Sequence, residues 1–132
     1  MRILIGTLAI ALLAGCATSP LPAEKADPVP SSRLFAYQVP LSGQGTLLIT
    51  RDKGLVGSAC NTKISIDGQR AAAIGSGETA KFYLPAGDHM VSASNCGSGL
   101  KEREIAIPAE AVKRYRISID SSMSMDLSPT SF

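Results

Sequence analysis

The chain has no tryptophan and a single histidine. Three phenylalanines and three tyrosines are its only other aromatic side chains across 132 residues. A core must therefore be assembled mainly from Ile, Leu, Val and Ala. Excess charge of one sign is also missing, since 13 basic and 11 acidic residues leave a formal charge of +2. That balance is too even to suggest nucleic acid as a partner, whose binding needs a concentrated basic face. Catalytic signatures are scarce. There is no G-x-S-x-G elbow, glycine-rich phosphate loop, C-x-x-C spacing or internal repeat. No apolar run reaches the roughly 20 residues of a permanent membrane-spanning helix.

What is present begins with a leader. Arg2 is followed by "ILIGTLAIALLA" (3–14), an apolar run too short to cross a hydrocarbon layer of roughly 30 Å. It has no polar face, so a core helix at the edge of a globular domain does not account for it. It reads as the h-region of a secretion signal. The run closes on "LAGC", Leu13 to Cys16, which resembles the lipobox of bacterial lipoproteins. The resemblance implies that residues 1–15 are a cleaved signal peptide. It also implies that Cys16 receives a diacylglycerol thioether and becomes the acylated N-terminus. A thiol is needed there because a sulfur nucleophile must take the lipid, and the small residues Ala14 and Gly15 let extended backbone enter the peptidase. Ala17, not aspartate, follows the cysteine, which implies sorting to the periplasmic face of the outer membrane. The membrane is then the first partner, held by acyl chains at about 0.8 kcal/mol per buried methylene.

Residues 16–33 read as the lipidated cysteine and a tether. "ATSPLPAEKADPVPSSR" has four prolines in seventeen residues and suits extended, solvated backbone. A domain is expected over 34–127, with a short tail at 128–132. "LFAYQVP" (34–40) is expected to be a first short strand ending at Pro40. "TLLIT" is an apolar strand, and "TKISI" alternates with Ile64 and Ile66 on one face. Asp67-Gly68 is a two-residue hairpin signal, returning through "QRAAAIG". "ETAKFYL" places Ala80, Phe82 and Leu84 together, and Pro85-Ala86-Gly87 is expected to close a tight hairpin into "DHMVSAS". "KEREIAI" and "KRYRISI" alternate in turn, the second with Tyr115, Ile117 and Ile119 on one face. About seven short strands predict an all-β fold, a small antiparallel sandwich.

The stretch "ISIDGQRAAAIGSGETAKFYLPAGDHMVSAS" is similar to PEGA-type β-sandwich domains. It is closer still to a group of uncharacterised proteobacterial lipoproteins with "GSA" before the first strand and a proline-glycine-x-histidine turn later. The likeness covers roughly residues 45–119 and implies a non-enzymatic extracytoplasmic module. It carries over no catalytic residue and no cofactor.

With Cys16 assigned to lipid, Cys60 and Cys96 are an even pair in an oxidising compartment, expected to form a disulfide. The competing arrangement, a metal bound by Cys60, His89 and Cys96, lacks a fourth ligand. His89 stands at a strand start beside the 85–87 turn. Its neighbour Asp88 should point to the opposite face, so the ring is expected to bond backbone instead of serving catalysis. The acidic residues are scattered, and Lys113, Arg114 and Arg116 read as a solvated face. Leu55 and Val56, between glycines in "KGLVGSA" (53–59), are a candidate interaction loop for an envelope protein partner, or else pack on the sheet. The function expected is a membrane-tethered, non-catalytic binding or structural module of the envelope. The alternative is an inhibitor lipoprotein that blocks a lysozyme-like enzyme, although that class's serine-glycine-x-x-tyrosine loop has no counterpart here.

Overall fold

The computed structural model describes residues 17–132, so Cys16 and the leader lie outside the described residues. Among those described there is no α-helix. Two single 3-10 turns, Ala23–Lys25 and Ser31–Arg33, accompany nine strands: β1 Asp27–Pro28, β2 Gly45–Arg51, β3 Thr62–Ile66, β4 Gln69–Ile74, β5 Glu78–Leu84, β6 Gly87–Asn95, β7 Gly99–Ile107, β8 Val112–Ile119 and β9 Met125–Pro129. They form an all-β sandwich. One sheet has the order β1-β5-β2-β8-β9 and the other β4-β3-β6-β7. The second sheet is antiparallel throughout. The first is mixed, because β2 runs parallel to β8 and β1 parallel to β5.

Alternation does what the pleat requires. Leu47 and Ile49 of β2, Phe82 and Leu84 of β5, and Ile117 and Ile119 of β8 face inward. They meet Ile64 and Ile66 of β3, Val91 and Ala93 of β6, and Ile105 and Ile107 of β7. The Asp67-Gly68 turn has φ of 51° and 79°, the two positive values of a type I′ hairpin. In β4, the run Ala71–Ile74 is buried throughout. Register shifts opposite Ile64/Ser65, where Ala71 is the extra residue of a bulge. Small side chains are needed on this strand because another segment crosses it.

That segment corrects two expectations. Residues 17–33 are not a free tether. Ser19 bridges Lys53, Ala23 and Val29 are buried, and β1 pairs along β5. Arg33 grips Glu78 through two 2.7 Å bonds and the Ala73 carbonyl at 2.8 Å. Residues 34–40 form no strand. Phe35 N–H reaches the Ala71 carbonyl on one sheet, whereas the Tyr37 carbonyl accepts from Tyr83 N–H on the other. The segment closes the open side of the sandwich, and a chain whose backbone bonds each sheet once cannot hold a ladder with either.

Two further differences concern connections. Pro85–Gly87 is a corner and not a hairpin, because β5 and β6 belong to different sheets. Gly87, at φ 127°, takes a backbone conformation that L side chains rarely adopt. The end of the chain is not a loose tail from 128 onward. β9 pairs with β8 as far as Pro129 and buries Met125 and Leu127.

Candidate functional site

Three places gather polar or reactive groups, and each is built by strand ends. The first is His89, at the start of β6. Its ring is 9% exposed, with Nδ1 2.6 Å from Asp67 Oδ2 and Nε2 2.7 Å from the Pro85 carbonyl. Both neighbours are acceptors, so the ring satisfies both only when each nitrogen carries a proton. Burial works against that charge. The bonds to Asp67 and Pro85 outweigh it and hold the His89 pKa above the usual histidine range. The same contact holds the Asp67 carboxyl below its ordinary value. Asp67 Oδ1 also accepts from Met90 N–H at 2.9 Å. One ion pair thus ties the Asp67-Gly68 turn to the β5–β6 corner.

Both ring nitrogens are engaged, and no hydroxyl or thiol among the described residues bonds the ring, so His89 clamps the turn to the corner. His89→Gln should cost about 1–3 kcal/mol by leaving a buried acceptor unmatched. The pH dependence has a definite sign. A raised histidine pKa contributes stability that is complete below about pH 6.5 and is lost as pH rises through the folded-state value. A lowered aspartate pKa contributes above about pH 3.9 and is lost as pH falls through its folded-state value. The stability gap between wild type and His89→Gln should therefore be widest near pH 5 and shrink in alkaline buffer. Urea unfolding at a series of pH values measures it, and a gap that grows with alkalinity would refute the clamp.

The second place is the end of the sandwich where β2 stops. Cys60 and Cys96 form a disulfide with Cα atoms 6.0 Å apart, joining the loop before β3 to the turn after β6. Beside it Arg51 is buried, 1% exposed. Its Nη1 donates to the Cys60 carbonyl at 2.7 Å and the Ile74 carbonyl at 3.1 Å, and its Nη2 to the Gly57 carbonyl at 2.6 Å. Burial pushes the guanidinium pKa down, opposed by the charge of Glu78. Asn95 Nδ2 reaches the same Gly57 carbonyl at 3.3 Å. Gly57 has φ +71°, and a Cβ there would stand 2.6 Å from the Ile119 Cδ1 methyl. Arg51 went unread in the sequence because an arginine closing a strand is usually solvated.

The loop held by Arg51 contains Leu55 and Val56, and the structure separates them. Val56 packs against the core. Leu55 is 91% exposed and is free to meet something outside the domain. Next to this loop the N-terminal segment is pinned. Thr18 N–H donates to the Ile119 carbonyl at 3.1 Å, and Thr18 Oγ1 donates to Asp52 Oδ2 at 2.9 Å. Arg116 holds Asp52 through both of its oxygens, at 3.0 and 2.5 Å. Asp52 is buried and Arg116 partly so. Arg116 is therefore part of an internal ion pair and not of a solvated basic face.

The third place is a groove of about 590 Å³ on the outer face of the five-stranded sheet. Leu48, Tyr83 and Val112 floor it, with Gln38, Lys81 and Arg114 at its margin. The covering segment 23–38 forms one wall, and Arg114 pairs with Glu24 across 3.0 Å. The volume suits a small ligand or an extended peptide. Alternation gives the outward positions of β2, β5 and β8. The wall could not be read from sequence because it belongs to the supposed tether. No group of three or more His, Cys, Asp and Glu is placed to hold a metal among the described residues. Among the same residues no helix is long and apolar enough to cross a membrane. No protein-family model matches the chain, and no curated protein matches it.

Proposed function

We propose that the protein is a lipoprotein of the bacterial envelope, anchored through Cys16, whose β-sandwich is a non-catalytic binding or structural module. The observation that carries this reading is the division of the three cysteines. Cys60 and Cys96 are consumed by one disulfide within the domain. Cys16 remains, at the close of an apolar run and two residues before the first pinned position, Thr18. A disulfide suits an exported domain, and a thiol left at that one place suits lipid transfer. The clamped state of His89 supports a module without acid-base chemistry. The groove over Leu48, Tyr83 and Val112 is the surface on which such a module would receive a partner. Outer-membrane placement on the periplasmic face rests on Ala17 after the cysteine.

Cys16→Ser tests the anchor. The variant should accumulate as a precursor that keeps residues 1–15, since neither lipid transfer nor the cleavage that depends on it can proceed. Electrophoretic mobility and membrane fractionation read this directly. A Cys16→Ser protein processed and located like wild type would overturn the proposal.

A further inference from the structure

The fold brings the exit of the chain toward Cys16 to one end of the sandwich, and that end has an unusual composition. Four connections meet there. They are the β2–β3 loop, the β4–β5 turn at 75–77, the β6–β7 turn and the β8–β9 turn. Residues 54–61, 75–77, 95–100 and 121–125 contain no Asp, Glu, Lys or Arg. They are adjacent in space. The disulfide joins the first to the third, Ser76 Oγ donates to the Gly54 carbonyl at 3.1 Å, and a Cβ at Gly97 would lie 3.5 Å from the Met123 Cε methyl. Lys53 and Asp120, both exposed, belong to the β2–β3 and β8–β9 connections and border this uncharged surface. Leu55 and Leu100 project from it, 91% and 62% exposed. The opposite end is different, with Asp67, Asp88 and Glu110 in or beside its turns.

A lone exposed leucine has no meaning by itself; its position gives it one. Thr18 is fixed to Ile119 and Asp52, and Gly54 lies against it, its Cβ position 3.2 Å from Thr18 Cα. Cys16 is two residues away, so its Cα lies within about 7 Å of Thr18 Cα. A free seventeen-residue tether would let the domain stand roughly 50 Å off the lipid. A pinned one does not. We infer that the uncharged end of the sandwich rests on the lipid surface that holds the anchor, with Leu55 and Leu100 in the interfacial layer. This inference rests on the lipid-anchor reading of Cys16. A surface poor in charge suits such a contact, because every Asp or Glu pressed against headgroups would be desolvated; Lys53 and Asp120 then stand at its margin. The anchor and the apolar tips then act together, since the second contact is intramolecular once the first is made.

The test uses the full lipidated protein in vesicles of phosphatidylethanolamine and phosphatidylglycerol with brominated acyl chains. The chain has no tryptophan, so Leu55→Trp and Leu41→Trp each install a single reporter. Leu41 is also exposed, at 64%, and lies near the other end of β2. Its loop is joined through Gln44 to Glu110. Any intrinsic preference of tryptophan for the interface is the same at both places. Quenching by brominated lipid should be several-fold stronger at position 55 than at 41, and Leu100→Trp should behave like Leu55→Trp. Equal quenching at 55 and 41, or stronger quenching at 41, would overturn the orientation. Flotation of the same samples separates the two ideas. Protein that floats without quenching at 55 refutes only the contact, whereas protein that fails to float refutes the anchor and the contact together.

Discussion

Replacing Cys60 and Cys96 together by alanine should destabilise the domain by about 4 kcal/mol. The bond spans a sequence separation of 36 residues, and closing a loop of that size in the unfolded chain is worth about this much by loop entropy. For a domain of this size the loss corresponds to roughly 10–20 °C in Tm. The core makes the bond matter, since it draws on few aromatic side chains and on a run of alanines in β4. Thermal unfolding with and without reductant would measure the effect. An unchanged Tm after complete reduction would show that the loop is held by other means.

Arg51→Ala should cost about 3 kcal/mol. The guanidinium stands among carbonyls and not against a carboxylate, and three of them, at Gly57, Cys60 and Ile74, rely on it. Removing it relieves the cost of a buried cation, but it orphans acceptors at about 1–3 kcal/mol each. The Gly57 carbonyl keeps two other donors, Asn95 Nδ2 and the Cys60 N–H, so the loss falls mainly on the other two carbonyls. The orphans therefore outweigh the relief. Arg51→Lys should recover only part of the loss, because one ammonium cannot reproduce the planar fork. Amide exchange should accelerate first over 54–61. Arg51 and the disulfide hold the same loop, so their losses should not add. Arg51→Ala made in the double-alanine background should cost less than in wild type. Full additivity would mean that the two act on separate structures.

Much of the domain was legible. Alternation at 62–66, 78–84, 87–95 and 112–119 fixes which side chains face inward, because a pleated strand half-buried on one face permits only that pattern. Asp67-Gly68 declared its turn because few residue pairs tolerate positive φ twice. Connections between sheets were not legible. The chemistry of Pro85–Gly87 bends the chain, but it does not say whether the next strand joins the same sheet, and β6 joined the other. The parallel pairing of β2 with β8 is equally silent, since the two are far apart in sequence. Proline-rich composition misled over 17–33. Extended backbone looks the same in sequence whether it is bathed in water or laid along a sheet, and Arg33 reaching Glu78 is a tertiary fact. At the site, the cysteine pair and the bond of His89 to the backbone of the 85–87 turn were readable from type and place, whereas its partner Asp67 was not. The wall of the groove and the Thr18 contact that covers Asp52 belong to that same segment and were hidden with it, whereas Arg51 is buried by the 54–61 loop and β4, which is a tertiary fact of another kind.

The proposed role of the domain in the envelope depends on anchorage through Cys16. The intact mass of wild-type protein extracted from membranes, with fragmentation of its N-terminal peptide, tests it most directly. The chain should begin at Cys16, carry diacylglycerol on its sulfur and lack residues 1–15. A chain that begins elsewhere, or one with a free Cys16 thiol, would contradict it.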